Sequence, residues 1–266
     1  MINAKKGRLH QGYFRNGESH RAGADVSFGD IVKIFGFRSI EIGRWVTKEE
    51  QQLGANLFFD ALCDLMDILQ VPEQVISLNG TLALNFGKGG QKYSLAHYNG
   101  RTRTLALAKN AGGGALAHEW FHGFDHYICT KQFSTKNAKL YASEVWLNNL
   151  APLIDHGLNR ELANAFSSIF LDESKSAPSL LVQHSINADK AQDIFYYARP
   201  QELSARAFER MIQEHDIKNS FLVSGTIKSK EALSGLYPNG ASLDAIKYHL
   251  YGYFMGLARS LVKQTT

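Results

Sequence analysis

Two histidines four positions apart, with a glutamate directly after the first, are the residues of this chain best suited to chemistry. They lie in the string His118-Glu119-Trp120-Phe121-His122. On a helix with about 3.6 residues per turn, the rings of His118 and His122 lie on one face and can converge on one metal ion. Glu119 points in a neighbouring direction, from which it can reach a water molecule on that ion. This H-E-x-x-H spacing is typical of zinc peptidases.

The reaction that this arrangement predicts is hydrolysis of a peptide bond. Zn²⁺ lowers the pKa of its bound water toward about 7 and polarises the carbonyl that is attacked. Glu119 would accept the proton of that water and pass it to the leaving amine. The competing interpretation is a helix whose two histidines lie at the edge of the core and bind nothing. We favour the metal site, because the pair encloses a glutamate and follows an Ala-rich helix start.

A zinc site of this kind needs a third protein ligand, and its fourth position is left for water. We predict Glu202, which lies one turn into a helix expected to begin at Pro200 and has small neighbours. A carboxylate on an otherwise apolar helical face is costly unless it is paired or bound to a metal. One alternative is a surface Glu202 paired with Arg206, four positions on. The other is Glu209, on the same face, as the ligand.

The site also needs groups that support the ligands and the reacting oxygen. Asp125 lies about 10 Å further along the helix than His118, at ~1.5 Å per residue, which is too far for direct binding. We expect it to accept a hydrogen bond from His122 instead. An oxyanion donor is required as well, and the sequence offers five without choosing between them: His126, His184, Tyr196, Tyr197 and Arg199.

A β-hairpin is predicted directly before the metal helix. Residues 93–98 and 103–107 alternate in polarity around Asn99-Gly100, and Asn-Gly is the strongest short hairpin signal. The outer strand of this hairpin should form one edge of a substrate cleft. A peptide would then add to it as an antiparallel strand, and Arg101 and Arg103 would favour acidic residues in that peptide.

Strands come first and helices follow, which predicts an α+β fold with a small, mostly antiparallel N-terminal sheet and a helical C-terminal half. Short strands are expected within 28–46, and a capping box of Thr47 and Glu50 should open a helix that runs to Pro72. The polar region 172–189 is predicted to be a loop. A further strand is predicted near 81–86, and further helices are predicted near 136–151, 158–171, 199–215 and 242–263. We expect a flexible basic arm, residues 1–27, and a single domain, residues 28–266, divided into 28–130 with the sheet and metal helix and 131–266 with the third ligand.

Composition gives weaker guidance. The 266 residues are 44% hydrophobic and 20% charged, with a net charge of +4, an ordinary globular balance. Basic residues concentrate in the arm, which offers a weak contact to nucleic-acid phosphates or to an acidic partner. No apolar run is long enough for a membrane span or a secretory signal. Cys63 and Cys129 are interpreted as reduced core thiols of a cytoplasmic protein, and the oligomeric state is left open.

The chain resembles the large polyvalent protein-associated domain one of bacteria, phages and mobile elements, a family also named CLCA-X. The resemblance rests on residues 35–45, 117–125 and 198–209, which together span roughly residues 30–225. It implies a zincin-like metallopeptidase fold with Zn²⁺ as cofactor, His118 and His122 as ligands and Glu119 as the catalytic residue. The biological substrate of the family is generally unassigned.

A shorter pattern, Glu202 with Ala205 and Phe208, is similar to the third-ligand helix of regulatory zincins that cleave repressors. This similarity favours Glu202 over Glu209. The alternative function is a catalytically silent zincin-fold protein of a phage or mobile element that binds host proteins or DNA-associated partners. The presence of Glu119 argues against it, because a structural site has no use for a general base. Three protein ligands plus water would indicate the peptidase, and four protein ligands the binding protein.

Overall fold

A four-stranded mixed sheet is the core of the N-terminal part of the protein. The computed structural model describes residues 8–88, 96–108 and 113–265. The strands are β1 (Ile40–Ile42), β2 (Ala83–Phe86), β3 (Ala96–Asn99) and β4 (Thr104–Leu107), in the spatial order β1-β2-β4-β3. β1 pairs with β2 and β2 with β4 in parallel, and β3 pairs with β4 antiparallel. The prediction of a mostly antiparallel sheet is therefore wrong. The chain passes through long helical connections between β1 and β2, and such crossovers permit parallel pairing.

Helices account for most of the remaining chain, so the α+β class and the helical C-terminal half are confirmed. A short 3-10 helix, Arg8–His10, comes first. The α-helices of the described residues are α1 (Phe28–Phe35), α2 (Lys48–Leu69), α3 (Glu73–Ile76), α4 (Leu116–Gln132), α5 (Ala142–Asn148), α6 (Gly157–Phe170), α7 (Leu180–Gln192), α8 (Pro200–Glu214), α9 (Lys230–Leu233) and α10 (Gly240–Thr265). Within the described ranges, none of these helices combines the length and apolar character needed to cross a bilayer.

Helix α1 replaces part of the strands predicted within 28–46. Its start is a capping box, in which Asp30 N–H donates to Ser27 Oγ at 3.1 Å and Ser27 N–H to Asp30 Oδ2 at 2.8 Å. Gly36 ends it with a left-handed φ of 70°. Phe28, Ile31 and Phe35 recur at intervals of three and four and are buried, which is a helical pattern rather than a strand pattern.

Helix α2 follows the prediction closely. Glu50 N–H donates to Thr47 Oγ1 at 3.2 Å and Thr47 N–H donates to Glu50 Oε2 at 2.8 Å, which confirms the capping box. Its apolar stripe is buried, with Phe58, Leu62 and Leu65 almost inaccessible to solvent. For α7 the prediction is wrong, because this helix occupies much of the predicted loop 172–189. It has few apolar positions that would indicate a helix.

The chain divides into two compact units. The first contains Met1–Ile68, Pro72–Gly123 and His215–Ser224, and the second contains Leu69–Val71, Phe124–Glu214 and Gly225–Thr266. The boundary within α4 falls between Gly123 and Phe124, one residue after the H-E-x-x-H string, so the sheet and this string belong to the first unit. The second unit contains α5 to α10, and includes a close pairing of α6 with α10. There an added Cβ at Gly252 would lie 3.0 Å from Glu161 Oε1.

Ion pairs attach the basic arm to α2 at Arg15 and Arg21, and the first seven residues of the arm lie outside the described part of the chain. Arg15 donates to both carboxylate oxygens of Asp64, at 2.6 and 2.7 Å. Arg21 binds both oxygens of Asp60 at 3.0 Å. These two guanidinium groups are therefore neutralised by α2, which leaves the arm less positive charge for nucleic-acid phosphates than the sequence indicates.

Candidate metal centre

Helix α4 brings the two histidines of the string together. His118 Nε2 and His122 Nε2 lie 3.1 Å apart, with ring centroids 4.8 Å apart and ring planes at 83°. Two nitrogen ligands on a tetrahedral zinc, each about 2.0–2.1 Å from the ion, are separated by roughly 3.3 Å. The nitrogen spacing therefore suits a shared ion. Glu119 completes the group, since candidate ligand atoms of the three residues lie within 4.8 Å of one another.

The carboxylate of Glu119 is held by the sheet. Its Oε2 accepts a hydrogen bond from the main-chain N–H of Tyr98 at 2.7 Å. Hydrogen bonds to an ionised carboxylate are among the stronger ones in proteins. The position of Glu119 on the helix leaves the direction of its side chain open, and this hydrogen bond fixes that direction.

Strand β3 is the edge strand next to this site. The residue pair Tyr98 and Leu105 joins β3 to β4, and the Tyr98 N–H points away from β4 because it binds Glu119. The predicted hairpin is confirmed for the described residues, although residues 93–95 lie outside them. Its turn spans residues 100–103 and is longer than a two-residue Asn-Gly turn. Within it, Asn99 Oδ1 accepts the N–H groups of Arg101 and Thr102 at 3.1 and 3.2 Å.

The opposite face of the string anchors α4 in the core of the first unit. Trp120 is fully buried, and its Nε1–H donates to the Ile76 carbonyl oxygen at 2.8 Å. One residue after the string, Gly123 allows close packing, because an added Cβ would lie 3.4 Å from the ring of Tyr98. The helix is thus fixed on one side by Trp120 and on the other by β3.

The two polar residues that follow on α4 have defined partners in the second unit. Asp125 is fully buried and accepts hydrogen bonds from Ser143 N–H at 2.8 Å and Ser143 Oγ–H at 2.5 Å. His126 Nε2 lies 2.6 Å from the Ala138 carbonyl oxygen, and its ring stacks on Tyr141. These contacts give both side chains a role in holding the region around α5. The predicted bond from His122 to Asp125 stays a prediction.

The predicted third-ligand helix, α8, is buried in the second unit. Glu202 is 9% exposed and Glu209 is 5% exposed, so the surface position that the alternative assumed for Glu202 is wrong, whereas its pairing with Arg206 stays a prediction. The Arg206 guanidinium is buried too and donates to the main-chain carbonyl oxygen of Glu202 at 3.3 Å. Tyr237 O–H donates to Glu209 Oε2 at 3.1 Å, and burial, followed by the Glu209 charge, raises the pKa of Tyr237 above its usual range. The assignment of Glu202 as the third ligand stays a prediction.

The candidate oxyanion donors Tyr196, Tyr197 and Arg199 lie on a turn before α8. The carboxylate of buried Asp189 accepts the N–H groups of Tyr196 and Tyr197 at 3.2 and 2.8 Å. The turn is therefore shaped by an acidic side chain that the sequence analysis did not single out.

Arg199 stacks on Phe195, with its guanidinium carbon 5.6 Å from the ring centroid. The fifth candidate donor, His184, has its Nδ1 3.3 Å from the Gly235 carbonyl oxygen. The choice between the five candidates stays open.

A second group of possible metal ligands consists of His20, Asp64 and Asp67. The sequence analysis missed it because His20 lies far from the two aspartates in the chain. His20 Nε2 lies 3.2 Å from Asp67 Oδ2 and 3.5 Å from Asp64 Oδ1. Asp64 is already engaged by the Arg15 guanidinium. A metal ion placed here would be repelled by that positive charge, so we interpret the cluster as an ion-pair network.

Comparison with known proteins confirms the resemblance to one domain family. Residues 188–261 match the family model described as Large polyvalent protein-associated domain 1. The match includes the stretch 198–209 and continues through most of α10, whereas the stretches 35–45 and 117–125 lie outside it. No curated protein and no solved structure matches the chain.

Proposed function

We propose that this chain, which carries the large polyvalent protein-associated domain 1 at residues 188–261, is a zinc-dependent peptidase acting on an intracellular protein. The observation that supports this most is the geometry of α4. There the His118 and His122 nitrogens lie 3.1 Å apart, and the intervening Glu119 is bonded to an edge strand. The family resemblance suggests a phage or mobile element as the setting in which the protein acts.

Each residue of the site has a distinct role in this proposal. His118 and His122 bind the zinc, and Glu202 supplies the third ligand, with Glu209 as the alternative. Zinc supplies a bound water of lowered pKa and polarises the scissile carbonyl. Glu119 accepts the proton of the attacking water and delivers it to the leaving amine. The Tyr98 N–H keeps the carboxylate of Glu119 oriented for both steps.

The substrate would bind along the outer edge of β3. An extended peptide adds to an exposed sheet edge through main-chain hydrogen bonds, and β3 is the edge strand of the sheet. The Tyr98 N–H is already bonded to Glu119, so the peptide would pair with the other outward main-chain groups of β3. Arg101 and Arg103, in the turn between β3 and β4, would favour acidic residues of the peptide. Specificity would therefore depend on charge close to the turn.

The test is a comparison of Glu119→Gln with the wild type. Replacement of the general base should abolish cleavage and leave zinc content unchanged, because Glu119 is not a ligand. Proteomic comparison of cells that express either form should reveal protein fragments made only by the wild type. His118→Ala is the control that should lose both zinc and cleavage. Identical fragment patterns for the wild type and Glu119→Gln would refute the peptidase.

A further inference from the structure

Main-chain groups at the start of α4 are bonded to a segment about a hundred residues later in the chain, 219–224, which belongs to the same unit. Gly114 N–H donates to the Phe221 carbonyl oxygen at 2.7 Å. Ala117 N–H donates to the Leu222 carbonyl oxygen at 3.1 Å. The first N–H groups of a helix have no acceptor within the helix. The segment therefore supplies acceptors to α4 one residue before His118.

The conformation of this segment is set by the side chain of Asn219. Asn219 is buried, and its Oδ1 accepts the N–H groups of Phe221 and Leu222 at 2.9 and 3.1 Å. These are the same two residues whose carbonyl groups bind the start of α4. The amide Nδ2 of Asn219 donates to Asp64 Oδ2 at 2.7 Å. One side chain thus joins the segment to a buried carboxylate on α2.

Asp64 is a fixed point for this connection. Its side chain is fully buried and is held by the Arg15 guanidinium through two hydrogen bonds. A buried carboxylate that is paired and hydrogen-bonded in this way keeps one orientation, because any other would leave a charge without compensation. The position of Asn219 is restrained accordingly.

We propose that Asn219 and Asp64 are positioning residues that set the start of α4, and through it the placement of His118 and Glu119. The effect on zinc rests on the proposed function, whereas the restraint on the helix does not. Ligands held by a well-ordered supporting shell bind metal more tightly, and loss of a supporting contact typically costs 10–100-fold in affinity.

The experiment compares Asn219→Ala with Ser27→Ala. The first variant removes all three side-chain hydrogen bonds of Asn219, and the second removes the cap of α1 in the same unit. Circular dichroism first establishes that both variants fold. Amide hydrogen exchange is then measured over residues 113–122. Zinc affinity is measured by competition with a chelator. We expect Asn219→Ala to speed exchange of the Gly114 and Ala117 amides at least tenfold and to weaken zinc binding at least tenfold. Ser27→Ala should lower the melting temperature and leave both quantities at wild-type values.

The proposal is overturned if exchange in Asn219→Ala stays within twofold of wild type, if Ser27→Ala causes the same changes, or if zinc affinity is unaffected while exchange rises. A wild type that binds no zinc would refute the proposed function, and the exchange measurement would still decide whether Asn219 positions the helix.

If Asn219→Ala does not fold, Asn219→Ser replaces it, because a hydroxyl can still accept from the turn but is too short to reach Asp64. The same changes, smaller in size, are then expected, and wild-type exchange would overturn the proposal.

Discussion

The two histidines and the glutamate of the string on α4 are placed by two physical causes. The pairing of His118 and His122 follows from helix periodicity alone, and for that reason it could be predicted from the spacing in the sequence. The orientation of Glu119 depends on the main-chain N–H of Tyr98, which no side-chain pattern records. The sequence therefore predicts which residues meet, and the structure adds how the carboxylate is aimed.

The third ligand can be tested at the level of two single residues. Glu202→Ala should weaken zinc binding by more than the 10–100-fold that supporting contacts cost, because it removes a direct ligand. Glu209→Ala should leave zinc binding near the wild-type value, since Tyr237 O–H is its hydrogen-bond partner. Chelator competition measures both. Because both carboxylates are buried on α8, each variant controls for the loss of stability in the other. The reverse order of affinities would assign the ligand to Glu209.

Among the secondary-structure elements, those with a strong periodic or capping signal were predicted and those without it were not. The Thr47–Glu50 capping box and the stripe after it identified α2, and Asn99-Gly100 identified the hairpin. Helix α7 was missed because its buried side includes the polar residues Ser185 and Asp189, so no apolar stripe distinguishes it from a loop. The parallel pairing of β1 with β2 was also missed, because strand direction depends on connections that local patterns do not specify.

Strand β3 provides a test of the hydrogen bond that orients Glu119. Tyr98→Pro removes the N–H that binds Glu119 and leaves the ladder with β4 intact, because that N–H points away from β4. Proline is tolerated on such an edge, so we expect normal folding and zinc content with cleavage reduced at least tenfold on the substrate found by proteomics. Tyr98→Ala removes the ring and keeps the N–H, and should retain much more activity. Equal activity of the two variants would contradict the role of the Tyr98 N–H in orienting Glu119.

At the scale of the whole molecule, each compact unit contains one cysteine, and both thiols are free and buried. Burial raises the pKa of Cys63 and of Cys129 to about 12. Because the thiolate is the reactive form, neither residue should react with an alkylating reagent at pH 8 in the native protein, and both should react in denaturant. Mass spectrometry of the labelled peptides reports the first unit through Cys63 and the second through Cys129. Rapid labelling of either thiol in the native protein would contradict the burial of that thiol.

The central claim is that His118 and His122 form a zinc site. Elemental analysis of the full chain, purified without chelators, tests it most directly. We predict about one zinc per chain in the wild type and in Glu119→Gln, and a loss of zinc in His122→Ala, because one of two nitrogens that converge on the ion is removed. Wild-type protein that contains no zinc, and takes up none when it is added, would contradict the account.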